Sequence, residues 1–102
     1  KSHQRQLKNS HQTTVKMIWL QYAPKFLRQM RKLEPELQNE VLVKVEMFKN
    51  RKNHSVLDVH KLKGKLSGSY AFSVNYKYRI VFDYISDNQA TLLVIGDHDV
   101  YK

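Results

Sequence analysis

Residues Tyr78 to Ile85 read YRIVFDYI and are apolar on both faces except at Arg79 and Asp83. A strand with apolar side chains at both parities is covered on both sides, so this stretch predicts the central strand of a sheet. Downstream, Ser86-Asp87-Asn88 has turn chemistry, and Ala90 to Ile95 (ATLLVI) reads as the last strand. Upstream, Tyr70, Phe72 and Val74 alternate with small or polar residues, the pattern of a half-buried strand.

The N-terminal part has a different period. Val15 to Leu20 (VKMIWL) is β-branched and apolar enough for a first strand. Pro24 suits the first turn of a helix, where its missing N–H costs nothing, and Phe26, Leu27, Met30 and Leu33 fall on one stripe. Pro35 opens a second helix in the same way, with Leu37, Val41, Val45 and Phe48 at helical spacing. Arg51 to Ser55 is polar and reads as a loop, and VHKLKGKLSGSY as a basic, turn-rich connector. The order β-α-α-β-β-β predicts an α+β domain, a single mainly antiparallel sheet with two helices packed on one side. Residues 1–16 read as a polar basic N-terminal extension of a domain at 17–102, with Met17 a candidate original start.

The 102 residues suit one domain with a single modest core. The absence of cysteine excludes disulfides and thiolate zinc sites and predicts a reducing, cytoplasmic setting. No apolar run reaches the ~20 residues that cross a bilayer, so no membrane association is expected. Charge is the informative quantity: 18 Lys and Arg against nine Asp and Glu give +9, which points to a polyanionic partner. The surplus is clustered. Lys49, Arg51, Lys52, Lys61, Lys63 and Lys65, with Lys77 further on, form the expected binding set for that partner.

Arg79 interrupts an apolar strand, and a covered guanidinium needs an anion. That anion is either a structural carboxylate such as Asp83 or a phosphate of a ligand. His98 and Tyr101 follow the neighbouring strand, so a sheet could bring them near Arg79. Histidine exchanges protons near neutral pH, and tyrosine offers a hydroxyl and a stacking face. His60, in the basic connector, is a second proton carrier. These types together favour phosphodiester chemistry. Asp97-His98-Asp99 is a poor metal site because adjacent side chains point different ways. GKLSG lacks P-loop spacing, serine hydrolase motifs are absent, and no cofactor is expected.

In this order and spacing, residues 17–102 resemble the RelE/ParE superfamily of type II toxin–antitoxin toxins, nearest its RelE and YafQ-like branches. The carrying segments are MIWLQYAPKFLRQMRKL, HKLKGKLSG, YKYRIVFDY and the terminal IGDHDVYK. The resemblance implies a ribosome-dependent mRNA endoribonuclease, an mRNA interferase, that cuts by attack of the ribose 2′-OH on its own 3′ phosphate. It also implies a cognate acidic antitoxin, a toxin–antitoxin hetero-oligomer, and the ribosome with its message as target. Arg79 matches the arginine of the family's Tyr-Arg pair, and His98 a terminal histidine or arginine. Tyr101 matches the terminal aromatic and His60 a histidine of YafQ-like toxins. RelE carries lysines where Ala71 and Ser73 stand here, and the YafQ-like acid–aromatic pair is replaced by Lys77-Tyr78. A ParE-like gyrase inhibitor without nuclease activity and a non-catalytic RNA-binding module are the alternative readings.

Overall fold

The computed structural model describes residues 17–97. Five strands form one sheet: β1 (Trp19–Tyr22), β2 (His60–Lys61), β3 (Tyr70–Ser73), β4 (Arg79–Ser86) and β5 (Gln89–Gly96). Their order across the sheet is β1-β5-β4-β3-β2, so YRIVFDYI does lie in the centre. The β2–β3, β3–β4 and β4–β5 pairs are antiparallel, and β1 alone runs parallel to β5. A parallel pair needs a long crossover, and the two helices between β1 and the rest of the sheet supply it. The expected α+β architecture therefore holds.

Two prolines set the helices. Pro24 opens α1 (Pro24–Arg31) and Pro35 opens α2 (Pro35–Phe48), each in the first turn. Glu34, the residue before Pro35, is extended at ψ 151°, because the proline ring disfavours the helical region there. The chain is thus cut into two helices, linked where Gln38 Nε2 donates to the Met30 carbonyl at 2.8 Å. Along α2 the buried residues Val41, Val45 and Phe48 form the stripe that meets the sheet. Phe48 is central: its ring lies 4.5 Å from Phe72, 4.7 Å from Phe82 and 4.6 Å from the imidazole of His54. Ile80, Phe82, Ala90, Leu92 and Ile95 complete this core, all on the helix side of the sheet.

Two boundaries differ from the sequence reading. The first strand begins at Trp19: Val15 and Lys16 of the expected strand lie outside the described residues, and Met17 and Ile18 precede it. Met17 makes an isolated bridge with Asn50, and Ile18 donates its N–H to the Lys49 carbonyl at 2.8 Å. The end of α2 holds the chain there, because β5 offers partners only from Gln89 onward. Secondly, the basic connector contains β2, a two-residue strand paired with β3. Its return to β3 passes a short 3₁₀ turn at Gly64–Leu66 and then Gly68 at φ 100°, a backbone conformation that glycine adopts without a Cβ clash. The extension at residues 1–16 lies outside the described residues.

Candidate functional site

Because side chains alternate across a strand, β4 sends Ile80 and Phe82 to the helices and Arg79, Val81 and Asp83 to the opposite, open face. Register extends that face across the sheet. Ser73, Arg79 and Gly96 lie in one row, and His60, Ala71, Val81 and Val94 in the next. His60 and Arg79 therefore share a face: two strands and two residues apart, their Cα atoms are separated by about 12 Å. A small apolar cluster of Leu62, Ala71 and Val81, with Leu66, Leu93 and Val94 against it, forms the floor.

Arg79 is half-buried and held by the chain itself. Its Nη1 donates to the carbonyls of Asn75 (2.6 Å) and Tyr78 (3.1 Å). The β3–β4 turn that presents those carbonyls is closed by the Asn75 side chain, whose Oδ1 accepts from the N–H groups of Lys77 (2.9 Å) and Tyr78 (2.7 Å). From α2, Glu40 Oε1 accepts from Asn75 Nδ2 at 2.9 Å, and Lys44 Nζ donates to the Val74 carbonyl at 2.6 Å. The helix thus clamps the turn and the turn aims the arginine. The ion pair with Asp83 is not formed; Asp83 accepts instead from Ser69 Oγ at 2.5 Å. Among the described residues Arg79 has no carboxylate within ion-pair distance. Both its donors to carbonyls come from one nitrogen, and the rest of the five-donor fork can meet a phosphate.

His60 Nδ1 lies 2.8 Å from the Asp58 carbonyl. A carbonyl only accepts, so in the neutral ring Nδ1 carries the proton and the lone pair sits on Nε2. Asp58 can offer its carbonyl there because it adopts φ 57°, an unusual conformation for a residue with a side chain. Beside His60, Lys61, Leu62, Lys63 and Leu66 line a shallow depression of about 290 Å³.

The basic residues divide into two groups. Lys61, Lys63 and Lys65 run from β2 into the Gly64–Leu66 turn, next to His60. Lys77 stands in the turn before Arg79, its Nζ 5.5 Å from the Tyr78 ring centroid. Lys49, Arg51 and Lys52 lie at the far end, beyond α2 and beside the β4–β5 turn. There Arg51 donates to the Asp87 carbonyl and sits 5.5 Å from the Tyr84 ring centroid. Lys49 is bonded to Glu46 at 2.7 Å, which raises its pKa above the ordinary lysine value. From Arg79 to Ser86 is the whole length of β4, about 24 Å. One continuous patch does not contain both groups.

His98 and Tyr101 lie outside the described residues. Among the described residues no group of three His, Cys, Asp or Glu could hold a metal ion, and no helix is long and apolar enough to cross a membrane. Sequence reading missed the Glu40–Asn75–Arg79 chain and the Ser69–Asp83 pair. Asn75 carried a signal, since asparagine two residues before Lys77 is ordinary turn chemistry.

Residues 16–98 match the model of the HigB-like toxin family, described as the RelE-like toxin of the type II toxin–antitoxin system HigB. No curated protein sequence matches the chain. Among solved structures, the RelE–RelB complex of Pyrococcus horikoshii superposes with a TM-score of 0.63 at 15% identity, over 79% of this chain and 94% of the other. The YoeB–YefM complex of Staphylococcus aureus gives 0.62 at 16% identity, over 79% and 97%. A YafQ variant of E. coli gives 0.58 at 15% identity, over 81% and 96%. At these identities the likeness is one of fold.

Proposed function

Because this chain belongs to the HigB-like family of RelE-like toxins of type II toxin–antitoxin systems, we propose that it stops translation by cutting messenger RNA on the ribosome. The observation that carries this reading is Arg79: a guanidinium fixed on an open sheet face, without a carboxylate partner among the described residues, beside His60 and a basic strand. A structural ion pair would have consumed that cation. An RNA phosphate is the anion that fits it.

In the reaction, a base removes the proton of a ribose 2′-OH, and the 2′ oxygen attacks the adjacent phosphorus. The P–O5′ bond breaks and the 5′ oxygen takes a proton, leaving a 2′,3′-cyclic phosphate and a 5′-OH. Arg79 stabilises the doubly charged phosphorane. In this reading His60 takes the 2′-OH proton and His98 supplies the proton of the leaving oxygen. Tyr101 stacks on or orients the substrate. The ribosome positions the message, so naked RNA is a poor substrate.

A toxin of this kind needs a restraint. The Pyrococcus and Staphylococcus structures are complexes with RelB and YefM. At net charge +9 the present toxin suits an acidic antitoxin, and the two form a hetero-oligomer held by complementary charge. Primer extension on messages from cells expressing the toxin alone tests the activity. Cuts confined to translated regions are expected. Intact messages with broken or blocked DNA would replace this reading with gyrase inhibition.

A further inference from the structure

A row of polar residues crosses the open face on the side of the apolar floor away from Arg79. Gln21 of β1 is in register with Thr91 of β5, Thr91 with Asp83 of β4, and Ser69 reaches Asp83 from the start of β3. Gln21 faces this way because its neighbours face the other: Leu20 packs on the main core and Tyr22 stacks on Phe26. Asp83 stands in the middle of the row, four residues from Arg79 along one strand, about 14 Å. Between them lies the apolar cluster of Ala71 and Val81, which are buried, and Val94, which is partly exposed.

We propose that Asp83 reads the Watson–Crick edge of a base next to the cleaved linkage and selects guanine. The proposal rests on the interferase reading above and names the specificity of that same face. An ionised carboxylate only accepts hydrogen bonds, and RNA phosphates repel it. Its place beside an RNA track makes sense where a base offers it donors. Guanine presents two adjacent donors, N1–H and the N2 amino group, which match the two carboxylate oxygens. Cytosine and adenine present one amino group beside a ring acceptor that faces the carboxylate. Uracil presents one N–H between two carbonyls. Ser69 Oγ occupies one lone pair of Oδ1 and fixes the rotation of the carboxylate, leaving further acceptor sites on both oxygens. The distance from Arg79 assigns the read base to a neighbouring nucleotide and not to the one whose phosphate is attacked.

The test uses a purified translation system programmed with synthetic messages that carry guanine, or inosine in its place, beside one cleavage site. Inosine lacks only the N2 amino group. The full chain should cut the guanine message at least about fivefold faster than the inosine message, the discrimination of one good base contact. Asp83→Asn keeps an oxygen for Ser69 while turning an amino group toward the base, and it should cut the two messages equally. Equal cutting of both by the natural chain would overturn the proposal and leave the interferase reading standing. A discrimination that survives in Asp83→Asn would overturn it as well. No cutting of either message by the natural chain would remove the interferase reading and this proposal with it.

Discussion

The main-chain carbonyl of Asn75 accepts from Arg79 Nη1 at 2.6 Å, so the residue that closes the β3–β4 turn also aims the cation at its end. The same asparagine is tied by its side chain to Glu40 on α2, thirty-five positions away in the chain. The direction of the guanidinium therefore depends on the packing of a helix against a hairpin. Removing the Asn75 side chain takes away both turn bonds and the helix contact while leaving Arg79 itself in place. Asn75→Ala should destabilise the fold by about 1–3 kcal/mol. It should also lower message cleavage more than that stability loss accounts for. Asn75→Asp, which keeps Oδ1 for the two N–H groups, should restore the turn but meet Glu40 with like charge. Thermal melts beside primer extension separate the two effects. Cleavage unchanged in Asn75→Ala would show that the turn does not aim the arginine.

Arg79→Ala should abolish cleavage, with a loss of about 100-fold or more, because a fixed cation at the phosphorane is removed. Folding should survive, since the guanidinium's partners are carbonyls at a solvent-facing turn and not a buried carboxylate. Arg79→Lys keeps the charge but not the fork and should recover only part of the rate. His60→Ala should cost less than Arg79→Ala if His98 carries one of the two proton transfers. Growth assays and primer extension on the same strains would rank the three. Equal cleavage by Arg79→Ala and the natural chain would move the site off this face.

His54 gives the fold a pH response. Its ring stacks on Phe48 with Nε2 2.8 Å from the Phe48 carbonyl. Burial lowers its pKa below the ordinary 6.5; the hydrogen bond to that carbonyl opposes the shift and the nearby Arg51 charge adds to it. Since the unfolded chain binds the proton more readily than the folded one, stability rises with pH across this window. It should be fully present above the ordinary value, fall as the pH drops below 6.5, and level off below the folded value. Chemical denaturation at a series of pH values should show this slope, and His54→Gln should flatten it. A slope that is unchanged in His54→Gln would assign the titration to another group.

The helices and the central strand were legible because each is local. Pro24 and Pro35 announce the first turns, and the alternation of Tyr70, Phe72 and Val74 is visible within five residues. The candidate face was legible only in part. Arg79 stood out as a charge in an apolar strand, and His60 as a proton carrier among lysines. What joined them to Asn75, Glu40, Ser69 and Asp83 is register and helix packing, which no local period encodes. The β4–β5 ladder slips between Val81 and Phe82, so Val94 faces Val81 while Leu92 faces Phe82. Counting by twos along β5 puts the polar row in the wrong place. The start of β1 was misplaced for a similar reason: Met17 is as apolar as a strand residue, but its partner is Asn50 at the end of a helix.

The two basic groups should contribute unequally to binding RNA. Lys61, Lys63 and Lys65 adjoin His60 in β2 and the turn that follows it, whereas Lys49 and Arg51 are engaged by Glu46 and the Asp87 carbonyl. Removing one lysine from a phosphate of a single strand should reduce the slope of log affinity against log salt by about 0.7. Reversing Lys61 and Lys63 to glutamate should therefore flatten the salt dependence for a short single-stranded RNA. Reversing Lys49 and Lys52 should change it less. The opposite ranking would put the RNA at the β4–β5 end.

We place the antitoxin on the two helices, because they carry exposed apolar residues. On α1 Leu27 is exposed, and on α2 Leu42 and Val43 are exposed by more than half, although all three are large and apolar. These residues point away from the stripe of Val41, Val45 and Phe48 that holds the sheet. At the adjoining edge, β1 has β5 on one side and, among the described residues, no strand on the other, and it carries Trp19 at 70% exposure. An acidic antitoxin segment that laid an apolar face on α1 and α2 and continued along β1 would cover these residues, gain charge complementarity and order itself on binding. It would approach from the helix side of the sheet, leaving Arg79 and His60 to be blocked by a further stretch or by bulk. Hydrogen exchange on the free and bound toxin should accordingly show added protection from Pro24 to Arg51 and along Trp19–Tyr22. Truncating Leu42 and Val43 to alanine should weaken the complex while leaving cleavage by the free toxin unchanged. Protection confined to β2, β3 and the β3–β4 turn would instead mean that the antitoxin occupies the open face directly.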